Sequence, residues 1–179
     1  SSGDEVVVLG WDPDDTHTTN FWEELASVDT GAGAILDSGT ITAKKYLWVQ
    51  FFAETDSGSS MELKFNFNGD RGTNYARRNR QDGGVENAQT NNNGISVISS
   101  GYRRFFGNYF IINNSAKEKL LTGHNIAYTT AGEGTAPHRN ETVGKWDNTS
   151  TQITQIEIVD TVQGDLGLTS GKIRVWGHD

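Results

Sequence analysis

Residues 41–70 read ITAKKYLWVQFFAETDSGSSMELKFNFNGD, and the fold class is decided in this stretch. From Tyr46 to Phe52 aromatic and β-branched residues follow one another, the composition strands favour. Successive side chains of a strand point to opposite faces. Leu47, Val49 and Phe51 therefore share one face; Tyr46, Trp48, Gln50 and Phe52 share the other. Both faces carry rings, which predicts a central strand with something packed over each side. DSGSS reads as a turn. Beyond it Met61, Leu63, Phe65 and Phe67 alternate with Glu62, Lys64, Asn66 and Asn68, the pattern of a half-buried strand with a polar outer face. Asn68-Gly69-Asp70 reads as the turn that follows.

Working outward, the same period recurs. Val6–Leu9 is a short apolar run between Gly3 and Gly10 and reads as a strand. FWEELASV, residues 21–28, suits either one capped helical turn or a strand, and its surroundings favour the strand. Ile35 and Leu36 form a short apolar pair in a turn-rich stretch. Further strands are expected within FFGNYFIINNS, around Tyr109–Ile112, within KEKLLTGHNIAYTTAG, and within ETVGKWDN. TQITQIEIVD and the closing GKIRVWG supply two more. Residues 73–94, TNYARRNRQDGGVENAQTNNNG, hold almost no apolar side chains and read as one long polar loop. Nine or ten strands and no helix predict an all-β fold: one domain over 1–179, an antiparallel β-sandwich, most simply a jelly roll.

Composition agrees. The 179 residues include 21 Gly and 2 Pro, and 34% are apolar, which suits many tight turns. No apolar stretch is long enough for a membrane span. With no initiator Met and no leader-type segment, the sequence reads as a mature chain or part of a longer one. Cysteine is absent, which removes disulfides, thiolate metal sites and Cys nucleophiles together. A formal net charge of −8 argues against a nucleic-acid partner, whose phosphates need clustered Lys and Arg.

The two ends resemble each other. SSGDEVVVLGWD and TSGKIRVWGHD both run Ser-Gly, a charge, an apolar stretch, then Gly, an aromatic and Asp. Coincidence, a tandem array of such units, and strand addition between subunits all accommodate this.

Together with ITAKKYLWVQFFAE, the segment Phe67–Tyr75 and the closing strand Gly171–Gly177 carry a resemblance. The chain resembles repeated β-sandwich modules of virion structural proteins from marine phages and archaeal viruses. That resemblance implies a virion or extracellular surface location, a capsid, decoration or fibre role, and no catalysis. It transfers no catalytic residues. The partners it implies are copies of the chain and other virion proteins.

Candidate contact residues are the two end strands, Val6, Val7, Val8 and Leu9 with Ile173, Val175 and Trp176, and the basic cluster Arg77, Arg78 and Arg80. That cluster would meet the acidic early part of the chain on a neighbour. The rival reading is carbohydrate binding at a cell-surface glycan, or a subunit of an extracellular filament. Trp11 and Trp22 are its candidate platform, whereas Trp48, Trp146 and Trp176 lie in expected strands and read as core. Asp12, Asp14 and Asp15 are a weak Ca²⁺ candidate, since carboxylates cluster there without the EF-hand spacing. His17, His124, His138 and His178 lack zinc spacing, so no metal or cofactor is expected. No nucleophile motif occurs, and Glu23, Glu24, Glu54 and Glu62 have ordinary solvent-facing explanations, so no enzyme is expected. Asn113, Asn140 and Asn148 head N-x-S/T triplets, which have the form of glycosylation acceptors.

Overall fold

The computed structural model describes residues 21–31, 35–55, 62–99, 102–160 and 168–179. Among them are twelve strands and no helix. In order they are β1 (Glu23–Thr30), β2 (Leu36–Asp37), β3 (Tyr46–Thr55), β4 (Glu62–Phe67), β5 (Tyr75–Gln81), β6 (Asn87–Asn92), β7 (Ile95–Ser99), β8 (Arg104–Ile112), β9 (Lys119–Tyr128), β10 (His138–Trp146), β11 (Ile156–Asp160) and β12 (Leu168–His178). They form an eight-stranded sheet, β1-β12-β3-β8-β9-β10-β5-β6, and a four-stranded sheet, β2-β11-β4-β7. Every neighbouring pair is antiparallel. The expected antiparallel sandwich forms, with unequal layers.

The core lies between the two sheets and follows from the alternation. Leu47, Val49, Phe51 and Ala53 of β3 point inward, as do Phe105, Tyr109 and Ile111 of β8 and Ile173 and Val175 of β12. From the smaller sheet Leu63, Phe65, Phe67, Ile156 and Ile158 meet them. Phe65 packs edge-on against both Phe51 and Tyr109, at ring-centroid distances of 5.9 and 5.0 Å. A Cβ on Gly107 would come within 2.1 Å of Phe51 Cε1, so a bare backbone at that position makes room for the phenyl group.

Four expectations need correction. β3 is central in its sheet, but only its inner face is covered by a second layer. Tyr46 and Phe52 on the other face are exposed. The alternating residues of β4 do not all face water: Lys64 and Asn66 are buried. The turn at Asn93-Gly94 folds across them, and Asn93 accepts from Lys64 Nζ (3.1 Å) and, through its carbonyl, from Asn66 Nδ2 (2.6 Å). Residues 73–94 are not one loop. They contain the β5–β6 hairpin, turned at Asp82-Gly83, whose positive φ angles of 50° and 73° suit a tight hairpin. β5 pairs along its whole length with β10, so ladder bonds rather than apolar side chains hold it in the sheet. β7 is a further strand that the sequence reading does not contain.

Candidate contact face

The outer face of the eight-stranded sheet carries the unusual chemistry. Registered pairing lines its side chains into cross-strand rows. One row runs Trp176, Trp48, Phe110, Thr122, Val143, Arg78. The row beside it runs His178, Tyr46, Ile112, Leu120, Lys145, Ala76. On the other flank Arg174, Gln50, Asn108, His124, Glu141 and Arg80 form a polar row. Beyond that Lys172, Phe52, Phe106, Ile126 and Arg139 make a second apolar band between two cations.

These outward apolar groups are open. Phe110 and Phe106 are each 44% exposed, Leu120 51% and Val143 50%. The second row and the Phe110–Arg78 part of the first floor a trough of about 960 Å³, with Phe110, Ile112, Leu120 and Val143 in its lining and Arg78 and Lys145 toward the β5 side. The trough is overlaid at its β12 end. Phe21 lies 4.0 Å from the ring of His178, and Trp22 lies 6.0 Å from Trp48 and 6.2 Å from Phe110, ring centre to ring centre. Trp48 joins the two row types: its Nε1–H donates to Asn108 Oδ1 at 2.5 Å.

The sequence candidates are dispersed. Val6, Val7, Val8, Leu9, Trp11, Asp12, Asp14, Asp15 and His17 lie outside the described residues. Ile173 and Val175 are fully buried, and their side chains belong to the core between the sheets. Nor is β12 a free edge, because β1 and β3 pair with it on both sides. Of the three contact residues on β12, only Trp176 faces out, stacked on Trp48. The arginine cluster splits with the strand period. Arg77 points inward, is 8% exposed and donates to Asn79, and burial pulls its pKa down. Arg78 faces out and pairs with Glu86. Arg80 donates to the carbonyls of Gly83 and Gly84, both at 2.8 Å. Both outward arginines thus close their own hairpin. Trp146 is core, as expected, but Trp48 and Trp176 are not: they join Trp22 on the outer face.

The glycosylation triplets thin out in the same way. Asn113 and Asn140 are 0% and 1% exposed. Asn113 donates to the carbonyls of Lys44 and Ile153 and accepts from the Ile153 amide. Asn140 and Asn125 both donate to the Val97 carbonyl, which ties the edge strand β7 to the larger sheet. His138 bonds Asp82 at 2.7 Å, and His124 stands apart on the polar row. Among the described residues no three His, Asp or Glu side chains gather as a metal site.

The segment Phe67–Tyr75 that carries the resemblance is an internal latch. Asn68 donates to the Gln152 carbonyl and accepts from the amides of Thr154 and Gln155. Asp70 accepts from the Gly72 amide, Asn74 and the Trp146 indole N–H, the last at 2.7 Å. The Tyr75 hydroxyl donates to the Asp70 carbonyl and accepts from the Phe67 amide. Partial burial disfavours ionised Asp70, yet its three donors outweigh that and hold the carboxyl below its usual range. The motif's polar residues thus serve the fold.

Sequence reasoning missed Phe106, Phe110, Ile112, Leu120, Ile126 and Val143 as a surface. The signal was present in RFFGNYFII, where the outward set carries Phe106, Phe110 and Ile112 as well as the polar Arg104 and Asn108.

No family model matches the chain, and no curated relative does. Among solved structures, the CBM2 module of the evolved Dit of Lactobacillus casei BL23 phage J-1 is 10% identical over 86% of this chain and 69% of that one, with a TM-score of 0.19.

Proposed function

We propose that this chain is a non-enzymatic structural module of a virus particle or an extracellular surface assembly, and that it works by protein contact through the outer face of its larger sheet. One observation carries the reading: the outer face presents apolar rows where a solvated face would present polar ones. Contiguous exposed apolar patches on soluble proteins mark interaction surfaces, and Phe52, Phe106 and Ile126 form such a band across three neighbouring strands. The virion location is what the resemblance at Phe67–Tyr75 and Gly171–Gly177 implies. Sedimentation velocity of the full chain tests the contact reading. Concentration-dependent oligomers are expected, and the pair Phe106→Ser and Ile126→Ser should weaken them by about tenfold or more. A wild-type chain that stays monomeric at every concentration would overturn it.

One observation favours a second reading, carbohydrate binding. Trp176, Trp48 and Phe110 stack in a row directly beside the hydrogen-bonding groups of Arg174, Gln50 and Asn108. Sugar rings stack on such platforms while their hydroxyls take the polar row. A glycan array, followed by tryptophan fluorescence titration, decides it: saturable binding lost in Trp48→Ala supports the platform, and a flat titration removes it.

A further inference from the structure

The trough differs from the Phe52–Phe106–Ile126 band in shape and in charge. The two rows that form it lie two residues apart on every strand, about 6.7 Å. Between them Leu47, Ile111, Leu121, Gly144 and Arg77 follow one another in register. The side chains of that line are buried on the core side, so a furrow is left between the rows, crossing β3, β8, β9, β10 and β5. A furrow across the strands gives a peptide no ladder to pair with. An α-helix, about 10–12 Å across with its side chains, is too wide to enter it. A single unbranched aliphatic chain can lie in it.

The furrow also has the length and the polarity of an amphiphile. From β3 to β5 it spans four strand spacings, about 19 Å. An extended chain advances about 1.2 Å per bond, so about sixteen bonds fill that span. Its two ends differ. The Trp22 ring stands over the β3 end, Ile112, Leu120 and Val143 line the middle, and Arg78 and Lys145 mark the β5 end. Among the described residues that line it there is no Asp or Glu, in a chain whose formal net charge is −8. Arg78 and Lys145 each bond one carboxylate, Glu86 and Glu118, neither of which lines the trough. Exposed ion pairs of this kind are weakly held, and both cations have further N–H donors. A cleft lined by one sign of charge gathers ligands of the opposite sign.

We propose that the trough binds a free single-chain aliphatic carboxylate of about sixteen carbons, with its tail between the Phe110–Val143 and Ile112–Leu120 rows and its carboxylate at Arg78 and Lys145. The inference goes beyond the assembly reading and does not require it, because Phe52, Phe106 and Ile126 lie outside the trough.

Calorimetric titration of the full chain tests it, with octanoate, dodecanoate and hexadecanoate below their micellar concentrations, and with decanoate against decanol. Saturable one-to-one binding of hexadecanoate is expected. Affinity should rise about two- to fourfold for each added methylene, and decanol should bind about tenfold more weakly than decanoate. Arg78→Ala with Lys145→Ala should erase that preference and leave decanol binding unchanged. Leu120→Asp with Val143→Asp, both at exposed positions, should abolish binding of acid and alcohol alike while the circular dichroism spectrum of the fold persists. No saturable binding, equal binding of decanoate and decanol by the wild-type chain, or hexadecanoate binding untouched by the two aspartates overturns the proposal. Vesicles of phosphatidylglycerol and phosphatidylcholine present the other source of an anionic lipid. The chain should not sediment with them, and sedimentation without hexadecanoate binding overturns the proposal in favour of a membrane surface. Oligomers are read through Phe106 and Ile126 and sugar binding through Trp48, none of which lines the trough, so failure of one idea is distinguishable from failure of the others.

Discussion

Trp48 and Trp176 stack with ring centroids 4.7 Å apart and planes inclined by 30°, on the side of the sheet that faces away from the core. Their strands, β3 and β12, are neighbours, and the two residues are direct register partners. An aromatic pair of this kind contributes about 0.5–1.5 kcal/mol beyond the area it buries. Two indoles this close also couple optically. Trp176→Phe should weaken the split tryptophan band in circular dichroism, and Trp48→Phe, which also removes the pair with Trp22, should weaken it at least as much. A band unchanged by Trp176→Phe would contradict the stack.

Gly107 lies beneath Phe51, with no room for a side chain. Gly107→Ala should cost about 1–3 kcal/mol by overpacking, whereas Gly31→Ala, with open space around it, should be near neutral. Phe51→Leu should recover part of the Gly107→Ala loss. Urea unfolding of the four variants reads the coupling directly.

Asp70 gives a pH signature. Its folded pKa lies below the usual 3.8, because hydrogen bonds from Asn74, Trp146 and Gly72 outweigh the opposing cost of burial. A depressed folded pKa adds stability that is fully present above the unfolded value and is lost as pH falls through the folded one. Wild-type urea midpoints should therefore fall on acidification below about pH 4. Asp70→Asn should be less stable at neutral pH and show a shallower acid decline. Parallel curves for the two proteins would remove Asp70 from the account.

Asn113 holds three backbone groups of Lys44 and Ile153 with one buried amide. Asn113→Ala strands those partners, and each unpaired buried group costs about 1–3 kcal/mol. A total near 3 kcal/mol is expected by chemical denaturation, against less than about 0.5 kcal/mol for the exposed neighbour Asn114→Ala.

How far the fold was legible depended on where side chains carried the signal. The inner set of β3, Leu47, Val49 and Phe51, and the set of β4, Leu63, Phe65 and Phe67, were plain because alternation and burial agree there. β5 and β6 were silent because main-chain ladders recruit them and their side chains are polar on both faces. Lys64 and Asn66 misled because a distant turn at Asn93 covers them, and no local period reports on a cover that arrives from 27 residues away. Among site candidates, strand alternation separated Arg77 from Arg78, a division visible only once the stretch is known to be a strand. The outer apolar rows belong to five different strands, and their adjacency is a property of register.

β12 sits between β1 and β3, pairing residues more than a hundred positions apart. Until the ribosome has delivered residues 168–178, β1 has no ladder partner and β3 presents a naked edge. Closure of the large sheet therefore waits for residues 168–178 and is dominated by non-local contacts, the regime in which β proteins fold in milliseconds to seconds. A nascent chain stalled before β12 would display β3 as a sticky template, so chaperone capture of truncated products is the expected fate of incomplete synthesis.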